Sequence, residues 1–391
     1  MTEEMRDKQL YDLWLDSLWE FAPMKKHLLV ERYGDSRGVY EQGMADIDEG
    51  MKTGVQENDR FRTLDEVKTI RKKMESLGIV ALAWDDEAFP DCLRHIKNPP
   101  WMIYLLGRTE LLDERCVAVV GARKATDYGK TAAQNLGRRI AATGTVVVSG
   151  MASGVDSWAH RGALDIGLGS ERPEECFRQA NTIAVLAGGV NVCYPKANRN
   201  LYGEICRRGL ILSEFRPGVH PRSYYFPMRN RLISGLSEAT VVVEAAVGSG
   251  SLITAELAMD QGREVFAVPG NIDRIGSMGT NKLIKDGATI LISVEDLIHE
   301  LYLEDENCAE IGDFICGGNG EEVLGEEERR VVKFLLQNGE ANTEQLVRST
   351  GLSASKLNGL VTVLEMKGIV STAIGKIFLA KKFENLYNMP L

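Results

Sequence analysis

The chain predicts an α/β protein. We expect a Rossmann-like, mostly parallel sheet with helices on both faces, plus an N-terminal helical segment and a C-terminal winged helix. Three observations carry that expectation. Short Val/Ile/Leu-rich runs without polar alternation recur between residues 116 and 292, as strands do when both faces of a sheet are covered. Helix-length segments fill the gaps, and right-handed crossovers then produce a parallel, doubly wound sheet. Three runs, VAVVGARKATDYG (117–129), VVVSGMASGVD (146–156) and VVVEAAVGSGSLITAE (241–256), break at glycines and open a helix beside a basic or hydroxyl side chain. Such turns direct unpaired backbone N–H groups and the positive end of a helix dipole at one place, which is how an open α/β sheet binds phosphate.

Taken in order, residues 1–75 form a helical domain: Leu10, Leu13, Trp14 and Leu18, then Leu28, Leu29 and Tyr33, fall at helical spacing. Gly34 and Gly38 mark helix ends, and LDEVKTIRKKMESLG (64–78) is a further amphipathic helix. Residues 76–300 form the Rossmann-like domain, with strands at 116–120, 145–149, 182–186, 210–213, 240–244, 264–268 and 289–292. Helices over 128–142, 155–168 and 252–261 connect them. Residues 301–325 form an acidic linker. Over 326–391 the pattern is helix, helix, turn at Gly351, helix, and a hairpin with Gly375 at its tip, a winged helix. Its third helix offers only Lys356, Asn358, Thr362 and Lys367 as polar reach, and nine acids balance nine bases over 321–391, so DNA and protein are both open as its partner.

Composition bounds the class. The chain has 391 residues, 44% of them hydrophobic, enough to bury a full core. The N-terminus MTEEMRDKQLYDLW is acidic where a signal peptide is basic, and no apolar run approaches the length of a membrane span, so a cytoplasmic location is expected. Seven cysteines without a C-x-x-C pair predict reduced thiols. Five scattered histidines indicate no metal site, and no cofactor is expected. The net charge of −10 argues against nucleic acid only until it is located. Residues 301–328 hold ten Asp and Glu and no Lys or Arg, so the rest of the chain is neutral. Residues 121–235 hold sixteen Lys and Arg against eight Asp and Glu, and a polyanion responds to that local field.

Four clusters are candidates for the phosphate ligand. Gly121, Arg123 and Lys124 follow the first strand, and Arg123 replaces the third glycine a dinucleotide site requires. A guanidinium there suits a phosphodiester rather than NAD. Ser149, Gly150 and Gly154 form the second turn. In VNVCYPKANRNLY (190–202), Tyr194 stands beside Lys196 and Arg199, the combination that lets bases stack while phosphates meet cations. Arg229, Asn230 and Arg231 sit in FPMRNRLISGL (226–236), expected at a loop–helix junction where they either hold a phosphate or tie neighbouring loops through carbonyls. Ser249, Gly250 and Ser251 open a helix as an anion nest.

These motifs, with TIAVLAGG, ILSEF and LIKDGA, stand in the order and spacing of the DNA-processing protein A family (DprA, also called Smf), which the chain resembles from about residue 85 to 297. The resemblance implies a single-stranded DNA-binding mediator that protects incoming strands and loads the RecA recombinase in natural transformation. It also implies a homodimer and an N-terminal domain of SAM or helix-hairpin-helix type. The family's DNA-contacting arginine and lysine fall on Arg123 and Lys196. This chain departs from the pattern in reading G-A-R for G-S-R, in having Ser153 where the family often has arginine, and in a longer connection over 167–181. The stretch 21–26 lacks the family's hairpin glycines. Two rivals remain. One is a nucleotide-processing enzyme that cleaves nucleoside monophosphates through Glu244 or Glu256, although Thr254 and Glu256 are too close for that enzyme pattern. The other is a scaffold in which the winged helix does the binding.

Overall fold

The computed structural model describes residues 3–18, 22–43, 63–165, 181–301, 326–338, 340–366, 369–373 and 376–379. The long connection expected over 167–181 (all but its last residue), the acidic linker past Leu301, and Gly375 lie outside them. The chain divides into two compact units, 1–304 and 305–391.

In the first unit, helices α1 (Glu3–Ser17), α2 (Pro23–Tyr33), α3 (Ser36–Gln42) and α4 (Leu64–Ser76) lead into the sheet. Strands β1 (Ile79–Ala83) and β2 (Met102–Gly107) flank the short helix α5 (Asp91–Arg94). Then follow β3 (Cys116–Val120), α6 (Asp127–Ala142), β4 (Val146–Ser149), α7 (Val155–Leu164) and β5 (Thr182–Val185). They continue through α8 (Arg199–Arg208), β6 (Leu210–Ser213), α9 (Tyr225–Leu236), β7 (Ala239–Val242) and α10 (Gly250–Asp260). The unit ends with β8 (Glu264–Ala267), α11 (Ile275–Lys285), β9 (Thr289–Ile290) and α12 (Val294–Glu300). The strand order is β1-β2-β6-β5-β4-β3-β7-β8-β9.

From β6 to β9 every pairing is parallel. Only β2 on β6 and β1 on β2 run antiparallel. The mostly parallel sheet is therefore as expected, while β1 and β2 were not foreseen. Their runs IVALA and MIYLL are apolar enough, but neither leads into a long helix: β2 ends at Gly107 and only one short helical turn, Thr109–Leu112, follows. Successive residues of β3 feed opposite cores: Val117 and Val119 pack with Leu136 and Ala159, and Ala118 and Val120 with Leu232 and Ala255. Helices thus cover both faces, which is why these strands carry no polar alternation.

The N-terminal helices share a core with the sheet instead of standing apart from it. Trp14 and Leu15 pack in one cluster with Trp101, Tyr104 and Ile205. Polar ties reinforce the junction: Tyr104 Oη donates to Asp16 at 2.7 Å, and Lys26 Nζ pairs with Asp16 at 2.9 Å, both buried. Lys8 reaches Asp85 and Asp86 at 2.8 and 3.0 Å. No helix among the described residues is long and apolar enough to cross a membrane. The described cysteines 92, 116, 193 and 206 are free thiols.

The second unit contains α13 (Glu326–Asn338), β10 (Glu340–Ala341), α14 (Thr343–Thr350), α15 (Ala354–Met366), β11 (Val370–Ala373) and β12 (Lys376–Leu379). Its three strands order β10-β12-β11 around a core of Val331, Leu346, Leu357 and Ile377. Asn342 and Gln345 form a reciprocal capping box at the start of α14, and Gly351 ends it with φ of 72°. The two-residue β10 is too short to read from sequence.

His160, on α7, is wholly buried with Nδ1 2.7 Å from the Thr182 hydroxyl. That hydroxyl donates to Val147 O at 2.8 Å, so Nδ1 carries the hydrogen and His160 is neutral. Burial, aided by Arg229, pushes its pKa down to about 3. The unfolded chain takes up this proton below about pH 6.5 and the folded chain does not, so stability falls as pH drops from 6.5 towards 3, by up to roughly 1.4 kcal/mol per unit. Asp12, raised to about 6 by burial, acts in the opposite direction. Urea midpoints of the wild type and His160→Gln at pH 7 and 5 isolate the histidine. The variant should lose less stability on acidification, and equal losses contradict the assignment.

Candidate nucleic-acid interface at the carboxyl ends of the strands

The chain runs outward from β3 through β4 and β5 to β6, then returns to lay β7 on the other side of β3. Such a switch point leaves a crevice beyond the strand ends, where open α/β sheets bind their ligands. Here the loops after β3, β4, β5 and β7 converge.

The first loop is pinned to the segment just after β7. Ala122 N donates to Glu244 O at 2.7 Å, and Thr126 donates to the Glu244 carboxylate through its backbone N at 2.9 Å and its hydroxyl at 2.5 Å. With its backbone fixed, the loop presents Arg123 and Lys124 to solvent. The Arg123 guanidinium lies 4.9 Å from the centre of the Phe226 ring. The second loop rests against the first, since Val155 N donates to Ala122 O at 3.2 Å. This approach requires Gly154, whose φ is 82° and where a Cβ would lie 2.2 Å from Ala122 O.

From the third loop, Tyr194 is 48% exposed, its ring 5.7 Å from Phe226. Lys196 and Arg199 follow, both exposed. Asn198 between them is buried and donates to Met151 O at 2.9 Å, which fixes this turn to the second loop. In the fourth loop Ser249 caps α10: its hydroxyl accepts from Ser251 N and lies 2.6 Å from the Ser251 hydroxyl.

Two cavities adjoin across Arg123, Ala152 and Phe226. The smaller, about 80 Å³, reaches Gly150, Tyr194 and Pro195. The larger, about 350 Å³, reaches Gly121, Arg229, Asn230, Ser249 and Ser251. Arg123 and Phe226 therefore stand at the centre of the crevice. Phe226 opens FPMRNRLISGL, and its only sequence signal is an aromatic shortly before two arginines.

Several expected contacts have other duties. Ser149 is buried and donates to Val119 O at 2.6 Å, inside the sheet. The Arg229–Arg231 stretch is not a loop junction, because α9 already starts at Tyr225. Arg231 makes a bidentate, buried pair with Glu214 at 2.9 and 2.5 Å and donates to Asn98 O, so it has no free face for a phosphate. Arg229 donates to Gly150 O at 2.7 Å and to Val185 O. Asn230 Nδ2 donates to Gly250 O at 3.2 Å. These two tie the strand-end loops while their flanks line the larger cavity. Lys124, Lys196 and Arg199 are exposed but line neither cavity.

The charge of the crevice follows. Burial pushes Arg229 down to about 10, so it remains protonated at neutral pH. Burial raises Asp156, Arg229 opposes that shift, and the carboxylate accepts from Ala152 N at 3.3 Å. Arg123 is left as an exposed cation, and no carboxylate pairs with it among the described residues. Glu244 is engaged by the first loop, and Glu256 is exposed on α10; neither lines either of these two cavities.

Fold and site define a doubly wound α/β protein with a cationic, aromatic-edged crevice at its switch point. The family model for DNA recombination-mediator protein A matches residues 80–302, and the chain belongs to that family. It is 39% identical over 225 residues to the DNA processing protein DprA of Bacillus subtilis, covering 57% of this chain and 72% of that one. It is 38% identical over 218 residues to protein Smf of Escherichia coli, covering 56% and 55%. Among solved structures, DprA of Streptococcus pneumoniae superposes with a TM-score of 0.53 at 32% identity, covering 66% of this chain and 90% of that one. The Helicobacter pylori protein, solved to describe its single-stranded DNA binding mode, gives 0.50 at 32% identity, covering 57% and 95%.

The division between structural and free cations is measurable. Arg231→Met should cost about 3–5 kcal/mol in urea unfolding because it strands Glu214, whereas Arg123→Ala should stay within about 0.5 kcal/mol. Similar costs for both would refute the division.

Proposed function

We propose that this chain binds single-stranded DNA in the switch-point crevice and acts as a recombination mediator, protecting the strand and handing it to the RecA recombinase during DNA uptake. The observation that carries the reading is Arg123, an unpaired guanidinium fixed by a pinned loop and placed over Phe226, with Tyr194 beyond it. A single strand needs this combination: cations for its phosphates and ring faces for its bases. Lys196 and Arg199 extend the cationic side. The positive end of the α10 helix dipole adds a further attraction for phosphate. A double helix presents no unstacked base to Tyr194 or Phe226, so the site favours single strands.

The activity is binding rather than catalysis. Support comes from the engagement of Glu244, the candidate catalytic carboxylate, with Thr126. We read the protein as a homodimer, in which two crevices on one strand raise avidity through effective concentration. We read residues 326–391 as a winged helix that contacts protein. Lys356 on its third helix is paired with Glu327 at 2.5 Å, and the Thr362 hydroxyl donates back to Asn358 O at 2.9 Å. Asn358 stays exposed there, and Lys367 lies outside the described residues.

Titrating labelled oligothymidine and a duplex of the same length tests the reading. The wild type should prefer the single strand, with affinity falling steeply as salt rises. Arg123→Glu with Lys196→Glu should lower single-strand affinity at least tenfold without changing the melting temperature. Unchanged affinity would refute the crevice as the site and favour a scaffold role.

A further inference from the structure

Beside the crevice lies a third cavity, about 530 Å³, between the N-terminal helices and the start of α9. We infer that this groove is a second subsite for the same single strand, holding nucleotides that leave the crevice past Phe226. The inference rests on the single-strand reading above and extends it to a surface outside the four strand-end loops.

The groove has the two chemistries a strand requires. Phe215 and Tyr225 stack with ring centres 4.2 Å apart and planes 33° from parallel, and Tyr224 meets Tyr225 edge-on at 4.5 Å. Tyr224 is 52% exposed, which leaves ring surface open to a base. Arg222 donates to the Tyr224 hydroxyl at 3.0 Å, which holds a guanidinium beside that ring. Arg216 lines the same space.

Charge favours an anion here. The lining carboxylates are Asp16 and Glu214, and each is already neutralised. Asp16 is paired with Lys26 and accepts from Tyr104, while Glu214 is held bidentately by Arg231. No carboxylate pairs with Arg216 or Arg222 among the described residues. The groove therefore faces solvent with unopposed guanidinium groups next to an aromatic stack, as in sequence-tolerant single-strand sites.

Continuity supplies the path. Ser223 and Phe226 line the crevice, whereas Arg222, Tyr224 and Tyr225 line the groove. The two spaces lie on either side of the chain entering one helix, so a strand stacked at Phe226 meets Tyr224 next. Only oligonucleotides longer than the crevice gain from this second contact.

Fluorescence anisotropy with oligothymidine of about 6 and about 20 nucleotides, lengths that bracket typical single-strand sites, separates the two subsites. The double variant Arg222→Glu, Tyr224→Ala changes exposed side chains, and its melting temperature serves as the folding control. It should weaken the 20-mer about tenfold and leave the 6-mer unchanged, while Arg123→Glu weakens both. If the double variant binds both lengths as the wild type does, the groove inference fails and the surface is left to a protein partner. Equal loss at both lengths also overturns it, because the residues then belong to the crevice. If Arg123→Glu affects neither length, the reading of the crevice fails, and this inference with it.

Discussion

The interface depends on one buried guanidinium. Arg229 leaves α9, passes beneath the second loop and donates to the carbonyls of Gly150 and Val185, at the ends of β4 and β5. A cation with little water around it is costly unless paired and fully hydrogen-bonded. Here Asp156, at the start of α7, supplies the opposing charge, and burial still draws the arginine pKa down to about 10. The arrangement tolerates no side chain at Gly150, where a Cβ would lie 2.5 Å from the guanidinium. One helix, two strands and two loops are thus locked together. The outer residues inherit their positions from that lock.

Residue type alone does not separate the cations that build the crevice from those that serve it. Arg123, Arg229 and Arg231 read alike in sequence, yet their burial divides them. Arg231 is saturated by Glu214 and Asn98, and Arg229 by strand-end carbonyls. Arg123 ends in solvent over an aromatic ring. Burial converts an arginine into a strut, whereas exposure beside a ring leaves the same group able to exchange water for phosphate. The same division holds for hydroxyls: Ser149 closes a bond within the sheet, while Ser249 and Ser251 open a helix at the crevice.

Much of this was legible because the strands carry their own signature. Unalternating apolar runs ending in glycine gave the parallel strands and the loops that matter, since only buried strands followed by tight turns produce that pattern. Strands β1 and β2 escaped because they join the sheet antiparallel, outside the strand–helix alternation that marks the others. The placement of Arg229–Arg231 within α9 escaped because helix starts without a capping side chain give no local signal, and Tyr224 supplies no cap bond here. Phe226 escaped because an aromatic in an apolar run reads as core until the neighbouring loop brings Arg123 over it. The packing of α1 on Trp101 and Tyr104 depends on residues some ninety positions apart, such as Asp16 and Tyr104. A local reading sees none of that.

Each crevice residue owes its position to a contact made elsewhere: Arg123 to Glu244, the turn bearing Lys196 to Asn198, Ser249 and Ser251 to the helix they open. A strand held this way passes the ring of Phe226 at close range. Ultraviolet crosslinking of oligothymidine to the full chain, followed by mass spectrometric mapping of the modified peptides, examines that proximity directly. Adducts on Phe226 or Tyr194 are the predicted result. Adducts confined to residues 326–379, with none at the strand ends, would contradict it.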